Sequence, residues 1–149
     1  GTYAGQNAGG IRFKARPFSA LKSGLDSATL SYKVYFSPKF DFVKGGKLPG
    51  FYGGTGSCSG GRTHKCFSTR YMWLSHGDGL MYLYSPMSQA SDFCKRKTVH
   101  CNFPYGHSIG RGTFKFKLGR WHTIQQYINF RKDSSTKINA IIFSTFFGG

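Results

Sequence analysis

Two short segments contain the residues whose types and spacing could do chemistry. In "CFSTRYMW", Ser68 and Arg70 fall on one side of an extended chain, because side chains alternate along a strand. In "MYLYS", Tyr82 and Tyr84 share a side in the same way. An arginine carries a permanent charge on a planar fork that suits a carboxylate, and a phenol can donate or accept a proton. Together these residues indicate a groove that can bind a sugar acid.

The loop "SHGDG" joins the two segments and predicts a β-hairpin. With its centre at Gly77, the hairpin places Arg70 opposite Tyr84 and Met72 opposite Tyr82. The serine, the arginine and both tyrosines then lie on one face.

A third strand can extend this face. Gln125 and Tyr127 alternate together in "TIQQYIN", whereas His122 alternates with Ile124 and Ile128 and is expected on the opposite side. The alternative interpretation is an ordinary solvent-exposed sheet surface, since tyrosine and arginine are common strand residues.

The charge of the chain limits the kinds of partner and reaction. Lys and Arg number 21 against five acidic residues, all aspartates, which gives a formal net charge of +16. Such a charge favours a polyanion, which leaves nucleic acid, acidic polysaccharide or an anionic membrane. Hydrolysis by two facing carboxylates does not fit this composition, and neither does a local oxygen-ligand metal site. No residue pattern requires a cofactor.

The segments that position these residues are predicted to be strands. They are rich in β-branched and aromatic residues and are bounded by Gly, Pro, Ser or Asp, and they cover 28–36, 66–74, 79–85, 112–118, 121–130 and 138–147. Only 18–25 is compatible with a short helical turn. The pattern predicts a single all-β domain over 1–149, an antiparallel sandwich or jelly roll. No apolar run approaches the ~18 residues of a membrane span.

Glycines and cysteines mark the loops. "KGGKLPGFYGG", residues 44–54, is interpreted as a glycine-rich surface loop. Four cysteines allow three pairings, and the favoured one closes two short loops, Cys58 with Cys66 and Cys94 with Cys101. The alternative is a zinc site using His64, His100 or His107, which lacks the usual C-x2-C spacing. Disulfides indicate an oxidising compartment and hence a secreted protein.

Seven stretches carry a family resemblance in the same order along the chain. They are "GGKLPGFYGG", "CSGG", "CFSTRYMW", "MYLYS", "YGHSIGRGTF", "GRWHTIQQY" and "IIFSTFFGG", and the resemblance runs from about Tyr32 to Gly149. The chain resembles the alginate lyases of polysaccharide lyase family 14, in particular the digestive enzymes of marine gastropods, and more distantly the family 20 glucuronan lyases.

The resemblance implies a β-jelly roll whose concave sheet holds a chain of uronic acids, with alginate as substrate. Lys47 matches the lysine of G-K-L-P-G, Ser68 and Arg70 match S-x-R, and Tyr82 and Tyr84 match Y-x-Y. The glycine-rich loop would then curl over the cleft, present Lys47 and move as substrate enters. Family members have an additional N-terminal strand and a hairpin before the last strand. Either these segments lie outside the given residues or this is a shortened member, and the first is expected because a sandwich without inner strands would expose an edge and its core.

The implied chemistry is β-elimination, in which the C5 proton is removed, O4 departs and a C4=C5 double bond forms. Arg70 would neutralise the C6 carboxylate, assisted by Ser68 and Gln125. Tyr82 or Tyr84 would act as base and acid with a pKa lowered by Arg70 and Lys47. Lys47 would stabilise charge or share proton transfer.

Further expectations concern substrate and binding. In mannuronate the C5 hydrogen and O4 lie on one side of the ring, which favours a mannuronate-rich substrate and an endolytic, monomeric enzyme. His64 is an alternative proton carrier, Arg111 and Arg120 are expected to contact neighbouring sugars, and Tyr127 is expected on the substrate-binding face with Gln125. A non-catalytic module for acidic glycans shares the charge but does not need the tyrosine pair. Nucleic-acid motifs are not found, and neither nucleic acid nor a membrane is the expected partner.

Overall fold

A computed structural model describes residues 10–11, 13–18, 25–56, 58, 65–86, 89–130 and 141–148. Eight strands occur in the described residues, and all pairs between them are antiparallel. They are β1 (Ser27–Tyr35), β2 (Gly46–Gly54), β3 (Cys66–Trp73), β4 (Gly79–Tyr84), β5 (Val99–His100), β6 (His107–Ile109), β7 (Trp121–Asn129) and β8 (Ile141–Gly148). Two 3-10 turns, Ser75–Gly77 and Phe93–Lys95, are the helical elements of the described part. The predicted all-β antiparallel architecture is therefore confirmed.

The strands form two sheets. One has three strands in the order β1-β7-β8, and the other has five in the order β2-β3-β4-β6-β5. Alternation along the strands turns apolar side chains of both sheets toward one core, where Phe36, Tyr71, Phe116 and Ile124 are buried. A buried hydrogen bond from Thr69 Oγ1 of β3 to Gln126 Oε1 of β7, 2.8 Å long, crosses between the sheets.

Several predicted strands match the structure, and some boundaries do not. The predictions at 28–36, 66–74, 79–85, 121–130 and 138–147 correspond to β1, β3, β4, β7 and β8. The predicted strand at 112–118 is wrong. Phe114 and Phe116 do pack inward, but the backbone there forms no strand: it makes hydrogen bonds with Gly77 and Gly79 and an isolated bridge between Lys115 and Asp78. The helical turn proposed for 18–25 lies mostly outside the described residues.

The interpretation of "KGGKLPGFYGG" as a mobile loop is wrong, because Gly46–Gly54 is strand β2 paired with β3. Its glycines make room for aromatic rings on the partner strand. A Cβ on Gly46 would lie 2.0 Å from the Trp73 ring, and one on Gly53 would lie 2.1 Å from the Phe67 ring. Gly46 and Gly53 are the direct cross-strand partners of those two aromatics. The glycines thus allow close packing rather than motion.

The favoured cysteine pairing is confirmed, with disulfides joining Cys58 to Cys66 and Cys94 to Cys101. The cysteines are therefore not available as zinc ligands. Among the described residues, no cluster of His, Cys, Asp and Glu could hold a metal ion. Within the same residues, no helix is long and apolar enough to cross a membrane.

Candidate active site

The predicted residues of β3 and β4 share the face of the five-stranded sheet that points away from the three-stranded sheet. We call this surface the outer face. Arg70 pairs with Tyr82, and Ser68 pairs with Tyr84. The expected pairing of Arg70 with Tyr84 is wrong by two residues, since His76, with a φ of 59°, and not Gly77 lies at the centre of the hairpin. A shift of two residues keeps every side chain on its face, so the predicted grouping survives.

Each cation of the outer face lies against a tyrosine ring. The Cζ atom of Arg70 is 5.1 Å from the ring centroid of Tyr84, and Nζ of Lys47 is 5.2 Å from that of Tyr82. The two tyrosine rings meet nearly edge to face, with centroids 5.3 Å apart. The structure therefore brings all four predicted catalytic residues into one cluster, with Ser68 buried beside it.

The positive charge of this cluster is not neutralised by the described carboxylates. Neither Lys47 nor Arg70 forms an ion pair with any of them, and Nε of Arg70 is buried without a hydrogen-bond partner among the described residues. The two ion pairs of the described part lie elsewhere, at Lys115–Asp78 and Arg96–Asp92. An anionic ligand can therefore interact with Arg70 and Lys47 without displacing an internal acid.

Burial shifts the pKa values of Lys47 and Tyr82 in opposite directions. It lowers the pKa of Lys47, and the neighbouring charge of Arg70 lowers it further. It also raises the pKa of Tyr82, with smaller contributions from the charge of Tyr84 and from a hydrogen bond with Tyr84. Arg70 acts in the opposite direction but does not prevail. The expectation that cations lower the tyrosine pKa is therefore wrong for Tyr82, which holds its proton more firmly.

Sequence reasoning missed other residues on the outer face. Tyr52 of β2 is the cross-strand partner of Ser68, and Lys14 lies 3.7 Å above its ring. Ser108 of β6 pairs with Tyr82, and His100 of β5 pairs with Ser108, which extends the face to the sheet edge. The alternation in "LPGFYGG" would have revealed Tyr52 if that segment had been assigned as a strand.

The remaining predicted residues lie away from the cluster. Gln125 and Tyr127 are on β7 in the three-stranded sheet, so their predicted place beside Arg70 is wrong. His122 is buried on the inward side of the same strand, as predicted. Arg111 is exposed in a turn after β6, and none of the described contacts links it to the tyrosine pair. His64 lies outside the described residues.

Comparison with known proteins now identifies the family. The chain matches the family described as Polysaccharide lyase 14 over residues 1–132. It is similar to the structure of the marine PL-14 alginate lyase from Aplysia kurodai, with 38% identity and a TM-score of 0.73, covering 87% of this chain and 51% of that one. It is also similar to the structure of an alginate lyase from Chlorella virus, with 25% identity and a TM-score of 0.57, covering 83% and 54%.

The chain spans about half the length of these two proteins. No match was found among curated proteins. The family match covers most of the chain and the Aplysia structure is similar over the same β-sandwich, so the family resemblance seen in the sequence is confirmed. The chain belongs to polysaccharide lyase family 14.

Proposed function

We propose that the outer face cleaves mannuronate-rich alginate by β-elimination, acting within the polymer and releasing oligosaccharides with a C4=C5 double bond. The observation that carries this proposal is the cluster of Lys47, Arg70, Tyr82 and Tyr84, in which each cation lies about 5 Å from a tyrosine ring. Both similar structures are those of alginate lyases. The two disulfides support a protein that works outside the cell.

The first requirement of the reaction is to neutralise the C6 carboxylate. The C5 proton is weakly acidic while that carboxylate is charged, and its removal places more negative charge on the same group. Arg70 offers a fixed cation with paired donors, and Ser68 lies on the same strand two residues away. In many enzymes, stabilising the charge that develops in the transition state contributes more to the rate than any other single effect.

The second requirement is to move one proton from C5 to O4. Tyr82 retains its proton because burial raises its pKa, so we assign it as the acid that protonates O4 when the C4–O4 bond breaks. Tyr84 then takes the C5 proton while the C5 electron pair forms the double bond. The two rings are neighbours, with centroids 5.3 Å apart, and the proton returns from Tyr84 to the Tyr82 phenolate to close the cycle.

Lys47 completes the proposed cycle. Its lowered pKa leaves more of the amine in the neutral form, which can accept the phenolic proton that Tyr84 must lose before the first turnover. All these groups approach the sugar from one side of the sheet. Mannuronate fits this arrangement because its C5 hydrogen and O4 lie on the same side of the ring.

The test is to incubate the protein with polymannuronate, polyguluronate and glucuronan and to follow the ultraviolet absorbance of the new double bond. We expect the absorbance to rise fastest with polymannuronate, and the viscosity of the solution to fall early because internal bonds break. A faster rise in absorbance with another polymer would overturn the substrate assignment. Binding of a polymer without any rise in absorbance would indicate a non-catalytic module.

Matched tyrosine variants test the roles. Tyr84→Phe and Tyr82→Phe should each lower kcat by on the order of 100-fold or more. Tyr35→Phe is the control, because Tyr35 is partly exposed on β1 of the other sheet. Wild-type turnover in both Tyr82→Phe and Tyr84→Phe would refute the tyrosine mechanism.

A further inference from the structure

A short loop between β5 and β6, residues 101–106, lies against both tyrosines of the cluster. We call it the β5–β6 loop. The backbone carbonyl of Tyr105 accepts a hydrogen bond from the hydroxyl of Tyr82. The next residue, Gly106, has a φ of 108°, and a Cβ at that position would lie 2.5 Å from the ring of Tyr84. The loop backbone therefore accepts the hydrogen bond of the Tyr82 hydroxyl and packs directly against the ring of Tyr84.

Asn102 fixes the peptide group that contacts Tyr82. The carbonyl of Tyr105 and the N–H of Gly106 belong to the same planar peptide, so they point in opposite directions. That N–H donates to the backbone carbonyl of Asn102 at 2.7 Å. The side-chain Oδ1 of Asn102 also accepts the Tyr105 N–H at 3.2 Å. Asn102 thus holds the peptides on both sides of Tyr105, which determines where its carbonyl points.

His107 in turn holds Asn102. Its Nδ1 accepts the backbone N–H of Asn102 at 3.0 Å, so this nitrogen is the unprotonated one. The ring is 1% exposed and packs edge to face against Phe93 and Phe103. Its Nε2 is buried without a hydrogen-bond partner among the described residues. An apolar residue at this position would avoid the cost of burying an unpartnered Nε2. The advantage of histidine over an apolar residue is therefore the hydrogen bond that Nδ1 accepts.

The disulfide between Cys94 and Cys101 restrains the residue that precedes Asn102. The loop is thereby tied at both ends, by a covalent link at one and by a buried ring at the other. A loop restrained in this way can hold a phenol to within the fraction of an ångström that proton transfer requires.

We infer that Asn102 and His107 are positioning residues for the elimination, acting through the Tyr105–Gly106 peptide on the hydroxyl of Tyr82. This inference rests on the proposed function. Neither residue is required to touch the sugar, whose carboxylate is assigned to Arg70. Loss of either should therefore lower kcat and leave KM nearly unchanged.

Two pairs of variants test the inference. Asn102→Ala removes the Oδ1 acceptor, whereas Asn102→Asp keeps it. His107→Leu removes the Nδ1 acceptor, whereas His107→Asn places an oxygen near the same position. We expect the first member of each pair to lose about tenfold or more in kcat on polymannuronate, with KM within about twofold. The second member should stay within about threefold of the wild type.

Thr113→Ala is the matched control, because it removes a side-chain hydrogen bond to Gly110 in a neighbouring turn, and none of the described hydrogen bonds links Thr113 to the tyrosine pair. It should leave kcat unchanged. Wild-type kcat in Asn102→Ala, or an equal loss in Asn102→Asp and Asn102→Ala, would overturn the inference. If His107→Leu does not fold, the two Asn102 variants decide the matter alone.

A readout without catalysis separates this inference from the proposed function. The titration of Tyr82 can be followed by NMR of the tyrosine ring carbons, with Tyr82→Phe used to assign its signal. We expect Asn102→Ala to change this titration and Asn102→Asp to keep Tyr82 protonated as in the wild type. If no polyuronate is cleaved but this pattern is found, positioning of Tyr82 stands and the proposed function fails. An unchanged Tyr82 signal in Asn102→Ala overturns the positioning role.

Discussion

Gly50→Ala is the sharpest test of how strand β2 presents Lys47. Gly50 pairs with Arg70, and a Cβ at this position would lie 1.4 Å from the Thr69 carbonyl oxygen and 2.8 Å from the Arg70 Cα. All the nearest atoms are backbone, so no side chain can rotate away. To restore an ordinary contact of 3.4 Å, β2 must move about 2 Å away from β3.

That displacement sets two magnitudes. Overpacking of this kind destabilises by about 1–3 kcal/mol or more, which lowers Tm by about 2–12 °C in a domain of this size. Moving β2 also separates Lys47 from Tyr82 and Arg70, and a misplacement of about 1 Å can cost on the order of 100-fold in rate, or about 2.7 kcal/mol. Thermal unfolding and kcat on polymannuronate measure the two effects independently.

Gly56→Ala is the control within the same glycine-rich region. A Cβ there meets nothing within 4 Å, but φ is 76°, so the substitution should cost about 1–2 kcal/mol of backbone strain while kcat is retained. If Gly50→Ala keeps both the wild-type Tm and the wild-type kcat, then β2 is not held against β3 and the mobile-loop interpretation returns.

Three further predictions follow from the site and the core. Arg70→Lys keeps the charge but loses the planar fork, so kcat/KM should fall about 100-fold with Tm unchanged, and a loss below threefold would contradict the role of Arg70. Thr69→Val leaves the buried amide of Gln126 without its partner and should cost about 1–3 kcal/mol in urea unfolding, whereas Thr69→Val with Gln126→Leu should recover part of that loss. Burial lowers the pKa of His107 from 6.5, so the unfolded chain binds the proton more readily and stability should fall as pH drops below about 6.5. His107→Asn should flatten this dependence, and an equally steep one would argue against it.

Much of the fold could be predicted because its signals are local. Alternating apolar and polar residues indicated β1, β3, β4 and β7, which bury one side against the core, and β-branched and aromatic residues indicated β8. β2 was missed because its spacing of glycines reflects rings on β3, which are visible only once the strands are paired. β5 and β6 are two and three residues long; β6 pairs with β4, β5 pairs with β6, and a disulfide restrains the segment that follows β5.

The site was predictable to the extent that it depends on the alternation of side chains between the two faces of a strand. Ser68, Arg70, Tyr82 and Tyr84 share a face whether the hairpin centre is at residue 76 or at 77, because the two registers differ by two residues. This alternation does not determine to which sheet a strand belongs. Gln125 and Tyr127 alternate correctly, yet β7 pairs with β1 and β8 rather than with β3 or β4. Long-range pairing of this kind leaves no local pattern in the chain.

The same distinction applies to the pKa of Tyr82, which depends on its surroundings in the folded protein. Cations beside a phenol suggest a lowered pKa, but burial of Tyr82 and its neighbour Tyr84 outweigh Arg70 and raise it. The hydrogen bond of Tyr82 to the Tyr105 carbonyl stabilises the protonated form in addition. A phenol that keeps its proton suits the protonation of a leaving oxygen, and in the proposed mechanism Tyr84 removes the C5 proton. The proposed division of roles between two adjacent tyrosines thus rests on the surroundings of Tyr82 and not on residue type.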